Sequence, residues 1–177
     1  QFSLAEDVAG GVAPDFQSDG FLRPSQVSLI EDGRLSGALI SPRSAKEFGA
    51  QTTGANGDES PDSLAVTCGD LPTADVLKAL GTGVWIGNLW YLNYSDRAAG
   101  RMTGMTRFAT FWVENGEIVA PLNVMRFDDT IHRMLGSELE ALTVERELLL
   151  SASTYYNRST GSSRLPGVLL KDFAFTL

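Results

Sequence analysis

Histidine and cysteine each occur once in this chain of 177 residues, as His132 and Cys68. A single cysteine excludes an internal disulfide and any multi-cysteine zinc cluster. A single histidine leaves hydrolytic zinc chemistry short of ligands, because such a centre takes three protein donors, commonly imidazoles, with an open water position and a carboxylate beside it. It also leaves one imidazole to serve as base for any serine or cysteine nucleophile. Basic residues are scarce too: 14 Lys and Arg stand against 22 Asp and Glu, giving a formal charge of −8. No long basic run offsets this, so nucleic acid is not the expected partner. Long apolar runs are missing as well, and nothing approaches the ~20 residues that a bilayer span needs. The stretch Gln1 to Asp7 has neither the basic start nor the apolar core of a signal peptide, which makes the cytoplasm the expected compartment. There is no Gly-x-Ser-x-Gly elbow and no Walker-type glycine loop ahead of a Lys-Ser or Lys-Thr pair.

What is present is an apolar content of 43% with 20% charged residues, as in a globular domain. The length fits one domain spanning 1–177, with the Gly-, Pro-, Asp- and Ser-rich residues 1–26 as an irregular lead-in. Two dipeptides carry the strongest local signals. Asn115-Gly116 interrupts the aromatic run Phe108 to Val113 and its return Glu117 to Ala120, and Asp32-Gly33 interrupts Gln26 to Ile40. Each supplies the two positive-φ positions of a type I′ turn, so each predicts a tight antiparallel hairpin. Phe111 or Trp112 is expected to point into the core.

Between and after these hairpins the expected elements are short. Ser44 to Phe48 reads as a helical turn stopped by Gly49, and Gln51 to Asp62 as a long exposed loop. Ser63 to Cys68 reads as a strand with Cys68 as a buried, inert thiol. Thr73 is expected to cap a helix whose stripe is Val76, Leu77 and Leu80, with Gly81 as its left-handed stop. Val84 to Leu92 is β-prone, and Asn93 to Thr106 reads as a loop. Asp129 or Thr130 can cap a helix through Ile131, Met134 and Leu135, restarting at the capping-box spacing of Ser137 to Glu140 and continuing through Leu142. A polar loop from Ser151 to Arg164 and a strand from Val168 to Phe175 close the chain. The fold class is α+β, an antiparallel-strand-rich domain with two tight hairpins and two or three short helices.

Several segments together carry a resemblance. Gly81-Thr-Gly-Val-Trp-Ile86 is followed by Phe111-Trp-Val-Glu-Asn-Gly-Glu-Ile-Val-Ala-Pro121. Upstream stand Asp19-Gly20, Ile30-Glu-Asp-Gly33 and Thr52-Thr-Gly-Ala-Asn56, and downstream Pro166-Gly-Val-Leu-Leu-Lys-Asp-Phe-Ala-Phe175. In this order they resemble the C-terminal part of the TldD/PmbA family, described as zinc metallopeptidases and formerly as modulators of DNA gyrase. The resemblance implies a C-terminal domain involved in proteolysis or peptide maturation, and full-length relatives more than twice as long. In metal-bearing members the ligands are two histidines of a His-Glu-x-x-x-His helix and a C-terminal cysteine. Neither is carried here: the motif is absent, and the polar stretch 151–166 contains no cysteine. Two explanations fit the resemblance, alone or together: a C-terminal portion whose metal helix lies upstream, or the metal-free PmbA-like, or TldE-like, branch, which the missing C-terminal cysteine favours. No metal or cofactor is expected in this chain, and zinc would reside in a TldD-like partner subunit. Independently of the resemblance, the large apolar residues of Val84 to Leu92 and Phe108 to Val113, which alternation sends to both faces of a sheet, lead to the expectation of a homo-oligomer or a partner-dependent assembly through an apolar patch.

With no catalytic residue to name, the candidate site residues are those suited to gripping a peptide. Arg97, Arg101 and Arg107 flank the strand before the second hairpin, and Tyr155, Tyr156 and Arg158 lie in the C-terminal polar loop. A guanidinium grips a carboxylate bidentately, and a phenol offers contact area with a hydrogen-bonding tip. An exposed strand edge could add the peptide by β-augmentation. His132 is expected to be a structural or surface residue, Trp85, Trp90 and Trp112 to be core, and Asp128, Asp129, Glu138, Glu140, Glu145 and Glu147 to form solvated faces. The competing expectation is a self-contained peptide-binding or scaffold domain without catalysis.

Overall fold

The computed structural model describes residues 2–176. Among these the order is β1 (Leu4–Asp7), β2 (Gln26–Glu31), β3 (Arg34–Leu35), α1 (Pro42–Phe48), β4 (Ser63–Val66), a 3-10 turn (Thr73–Asp75), α2 (Val76–Leu80), β5 (Gly83–Ile86), β6 (Leu89–Asp96), β7 (Arg101–Thr106), β8 (Thr110–Glu114), β9 (Glu117–Pro121), β10 (Arg126–Thr130), a π-type turn (Arg133–Ser137), β11 (Leu139–Leu150), β12 (Ser162–Leu170) and β13 (Phe175–Thr176). Strands dominate, pairing mostly antiparallel, and the helices are short: the fold is α+β. Two compact units divide the chain. One holds residues up to Cys68 with Arg146–Pro166, and the other holds Gly69–Glu145 with Gly167–Leu177.

The first unit is built on the sheet ordered β11-β12-β4-β1-β2-β3. Its interior holds β1, the one strand among the described residues of the lead-in 1–26, which pairs antiparallel with both β2 and β4, while residues 8–25 have no regular strand or helix. The signal was hidden by Glu6, an acidic residue that is buried at 5% exposure on that central strand. Its carboxylate accepts the backbone N–H groups of Asp62 and Ser63 at 3.0–3.1 Å, so the buried charge is hydrogen-bonded rather than stranded. Asp32 and Gly33 take φ of 49° and 79°, as the first hairpin requires. Ser41 caps α1 through its hydroxyl, and Gly49 stops it at φ 65°, ψ 28°.

The Gln51 to Asp62 loop is irregular, as expected, yet it is tied down. Thr52 and Thr53 both donate side-chain hydrogen bonds to the Ile40 carbonyl, and the Thr53 hydroxyl accepts from the Ile40 N–H at 2.8 Å. Gly54, at φ 67°, lies so close to Leu22 that a Cβ there would stand 2.3 Å from its carbonyl oxygen. Asn56 accepts from the N–H groups of Asp58 and Ser60 and donates to the Ser60 carbonyl. The segment Thr52 to Asn56 is therefore a backbone knot. Cys68 lies beyond β4 and is exposed, which overturns its reading as a buried strand thiol.

The second unit carries the sheet β5-β8-β9 and the sheet β13-β10-β7-β6. Val113, Phe127 and Thr106 are its most deeply buried side chains. Asn115 and Gly116, at φ 52° and 82°, form the second hairpin turn. The residues directed inward on β8 are Thr110 and Val113, while Phe111 and Trp112 are half-buried: Phe111 stacks on Trp85 at 5.8 Å, and the Trp112 indole donates to Glu114 at 2.8 Å. Trp90 is about half exposed and is not core.

Three further expectations are corrected in this unit. Asn93 to Thr106 is the end of β6, a turn closed by Gly100 at φ 59°, and all of β7. The apolar alternation that marks a strand is missing because Trp90 to Asp96 are exposed on both faces. The helix expected through Leu142 stops at Ser137, after Thr130 has capped it by accepting from Arg133 N–H, and Leu139 onward is the strand β11. There the backbone is claimed by distant partners: Gly69 and Leu71 donate to the Thr143 and Leu142 carbonyls, and Val144 donates to Leu71. Thr73 does not cap α2; its N–H and hydroxyl both donate to Glu145 at 2.9 and 2.7 Å. Val76, Leu77 and Leu80 are the more covered residues of that helix, although none is fully buried. Gly81 has a positive φ of 64°, but its ψ of −93° lies outside the left-handed helical region. The closing strand begins at Ser162 and ends at Leu170, with β13 a separate two-residue piece.

Candidate functional site

Carboxylates come first, since an acidic chain could use them for catalysis or for structure. Asp129, read as part of a solvated face, is 3% exposed. Its oxygens accept from Thr130 N–H at 2.7 Å and Ala174 N–H at 3.1 Å, and Arg133 Nε stands 3.3 Å away. Arg133 also reaches Glu138 and Asp172. Every strong donor at this cluster is committed to holding β10, the π-type turn and the segment before β13, so the cluster is a clamp. Glu145 is held below the usual carboxylate range, first by the Thr73 hydroxyl and then by the Thr73 N–H. Asp128 is lowered by the hydrogen bond from Arg101, with Ser95 contributing. Glu59 is lowered chiefly by the Ser41 N–H. Glu145 is exposed, Asp128 and Glu59 are half-buried, and all three have partners, which marks structural ion and hydrogen-bond pairs rather than a poised acid.

His132 is exposed beside the Gly100 turn, with Nε2 3.4 Å from where a Gly100 Cβ would be. Among the described residues no three His, Cys, Asp or Glu side chains are grouped so as to hold a metal ion. His132 and Cys68 belong to different units. A cavity in the first unit, lined by Glu6, Arg23, Ala55, Asn56 and Asp62 among others, offers about 10 Å³. That is room for one water and not for a substrate side chain.

The six candidate residues fall into two groups. Tyr155, Tyr156 and Arg158 lie in the 151–161 loop of the first unit, all exposed, with the two phenol rings edge-on at 4.3 Å and Tyr156 at φ 64°. Arg97, Arg101 and Arg107 belong to the second unit and are distributed along one hairpin. Arg101 opens β7 and is paired with Asp128 at 3.0 Å. Arg97 sits in the turn, its guanidinium 5.7 Å from the Tyr94 ring centroid. Arg107 follows β7, with its guanidinium 4.2 Å from the Trp90 centroid and 4.7 Å from that of Phe108. Six residues of strand separate Arg101 from Arg107, about 20 Å when extended, so the three do not converge on one point.

The sequence alone does not single out the aromatic partners of these cations as site residues: it places Trp90 in the core and Phe108 on a strand. The available signal was the adjacency of Arg107 and Phe108, which lets the guanidinium fold back over its neighbour. What the sequence could not show is that β6 pairs with β7 so that Trp90 arrives on the other side. No described helix is long and apolar enough to cross a membrane.

Comparison with known proteins places this architecture. Residues 14–177 match the model of the PmbA/TldA metallopeptidase C-terminal domain. The Escherichia coli O157:H7 protein named metalloprotease PmbA is 31% identical over 114 residues, which is 64% of this chain and 24% of that protein. A Thermotoga maritima structure described as a modulator of a DNA gyrase superposes with a TM-score of 0.79 at 18% identity, covering 99% of this chain and 39% of that one. TldE from Thermococcus kodakarensis gives 0.78 at 15% identity, covering 98% of this chain and 39% of that one. At such identities the structural likeness shows the fold. The chain spans about a quarter of the curated relative's length.

Proposed function

This chain belongs to the PmbA/TldD family as its C-terminal domain, and from that premise we propose that it acts in proteolysis or peptide maturation as a part that does not itself bind zinc. The observation that supports this reading is the donor set: one exposed histidine and one exposed cysteine, in different units, with no group of three metal-binding side chains among the described residues. Hydrolysis would then depend on zinc carried elsewhere, in a TldD-like partner subunit or in an assembly of like chains. This chain would contribute peptide contacts through Arg97, Arg107 and the Tyr155-Tyr156 loop.

Metal analysis after exhaustive dialysis tests the central point. The expected result is far less than one zinc per chain, unchanged by His132→Ala or Cys68→Ala. One zinc per chain that disappears in either variant would overturn the reading. Peptide cleavage that appears only on adding a zinc-bearing relative would favour the assembly over a self-contained scaffold.

A further inference from the structure

Register gives the β13-β10-β7-β6 sheet two unlike faces. Gly104 and Thr106 on β7 and Phe127 on β10 are buried, so Arg101 and Met105, with Arg126 and Asp128 across from them, share the more open side. Trp90 pairs with Met105 and joins that side. So does Arg107, two residues beyond Met105, whose guanidinium stands 4.2 Å from the Trp90 ring centroid. Tyr94 pairs with Met102 and belongs to the other face, which leaves Arg97, stacked on Tyr94, outside this site.

Charge on the open side is uneven. Asp128 accepts a hydrogen bond from Arg101, and Asp96 stands opposite Arg101 in register, so the acids gather at that end. Arg126 is near enough to Asp128 to lower it by charge. Arg107 is left with no ion pair among the described residues, in a chain with 22 acidic side chains. It rests instead on the exposed rings of Trp90 and Phe108. Stacking fixes a guanidinium by its face and leaves its N–H edge free to take a carboxylate bidentately. Little side-chain freedom remains to be lost when a ligand arrives. Phe108 has φ of 59°, a region that bulky side chains seldom occupy and whose strain collects at binding surfaces.

We propose that Arg107, with Trp90 and Phe108 beside it, binds the C-terminal carboxylate of a peptide whose last side chain is large and apolar. In a terminal residue the carboxylate and the side chain leave the same Cα, so one residue can meet the cation and the rings together. An internal acidic residue brings its carboxylate alone, because in an extended chain both neighbours point the other way. Arg126 is diagonal to Arg107 across Met105, about 7–8 Å away between Cβ atoms. It adds local attraction in a chain whose net charge of −8 repels anions. The proposal rests on the peptide-contact part of the function proposed above, and it names the end of the peptide that is held.

The probe is Ser-Gly-Ser-Phe with a free C-terminus and a dye on its N-terminus, followed by fluorescence anisotropy with the chain alone. Saturable binding is expected, weakened about tenfold or more by amidating the C-terminus or by Arg107→Gln, and less by Arg107→Lys, which keeps charge without the planar fork. Trp90→Ala, or serine in place of the terminal phenylalanine, should also weaken it. Arg34→Gln, on β3 in the other unit, should bind as the parent does. The proposal is overturned by no saturation up to about 1 mM, by equal affinity for the amide, or by full affinity in Arg107→Gln. It is equally overturned if amidated Ser-Gly-Glu-Phe, with its acid internal, binds as tightly as the free acid. Circular dichroism reports whether each variant folds; if Arg107→Gln does not, the amide comparison, which alters nothing in the protein, decides. Neither zinc nor a partner is present, so failure here leaves the metal reading untouched.

Discussion

Glu145 shows how one side chain can carry a structural task that its position on the surface conceals. Its carboxylate receives the N–H and hydroxyl of Thr73, and these donors lower its pKa in the folded state. A lowered folded pKa means stability that is present above the unfolded carboxyl pKa and is lost as pH falls through the folded one. The contribution is modest because water screens an exposed group. Glu145→Gln should therefore flatten part of the acid limb of a stability-against-pH curve while leaving stability near neutrality only slightly reduced. Denaturation midpoints measured from pH 7 down to 3 would show it, and an acid limb identical to that of the parent chain would contradict the assignment. Glu6 and Asp129 teach the same lesson from the interior: both are buried acids that hold backbone N–H groups.

At the scale of elements, the two hairpins separate backbone strain from packing. Gly33 and Gly116 have nearly equal φ, 79° and 82°. A Cβ on Gly33 meets no atom within 4 Å, whereas one on Gly116 stands 3.2 Å from Lys78 Cα. Gly33→Ala should cost about 1 kcal/mol, the left-handed penalty alone, and Gly116→Ala should cost more. Urea midpoints of the two variants settle the order, and a larger loss at Gly33 would contradict it. These turns were legible because Asx-Gly encodes φ locally. The second half of β6 was not, since a strand exposed on both faces has no alternation to read, and β7 was not because its fully buried positions are Gly104 and Thr106 rather than large apolar residues. β11 misled for another reason: its Leu139-Leu142 spacing suits a helix, while what makes it a strand is its pairing with β12, later in the chain, joined by a bridge from Leu71 to Thr143 some seventy residues earlier.

For the whole molecule, charge and exposed apolar surface pull in opposite directions. A net charge of −8 keeps copies apart, while Trp90, Tyr91, Leu148, Leu149 and Leu150 are among many large apolar side chains open to solvent. As pH falls toward the sequence pI of about 4.6, repulsion fades and the apolar surface remains. Sedimentation velocity should show association rising between pH 7 and 5 at fixed protein concentration, and less so with a bound partner covering that surface. A distribution independent of pH and concentration would contradict this.

By itself the sequence determined the strand-rich α+β class, both Asx-Gly turns, the helical turn from Ser44 to Phe48 with its Gly49 stop, and the family, because each rests on contiguous residues whose φ preferences and order need no distant partner. It also determined the shortage of metal ligands, which is a matter of counting. Only the tertiary structure decided that Glu6 lies on a central strand, that Asp129 is a buried clamp, that Cys68 is exposed, and that Arg107 is held between Trp90 and Phe108. Each of those depends on pairing between segments far apart in the chain, where burial and hydrogen bonding are set by the partner and not by the residue.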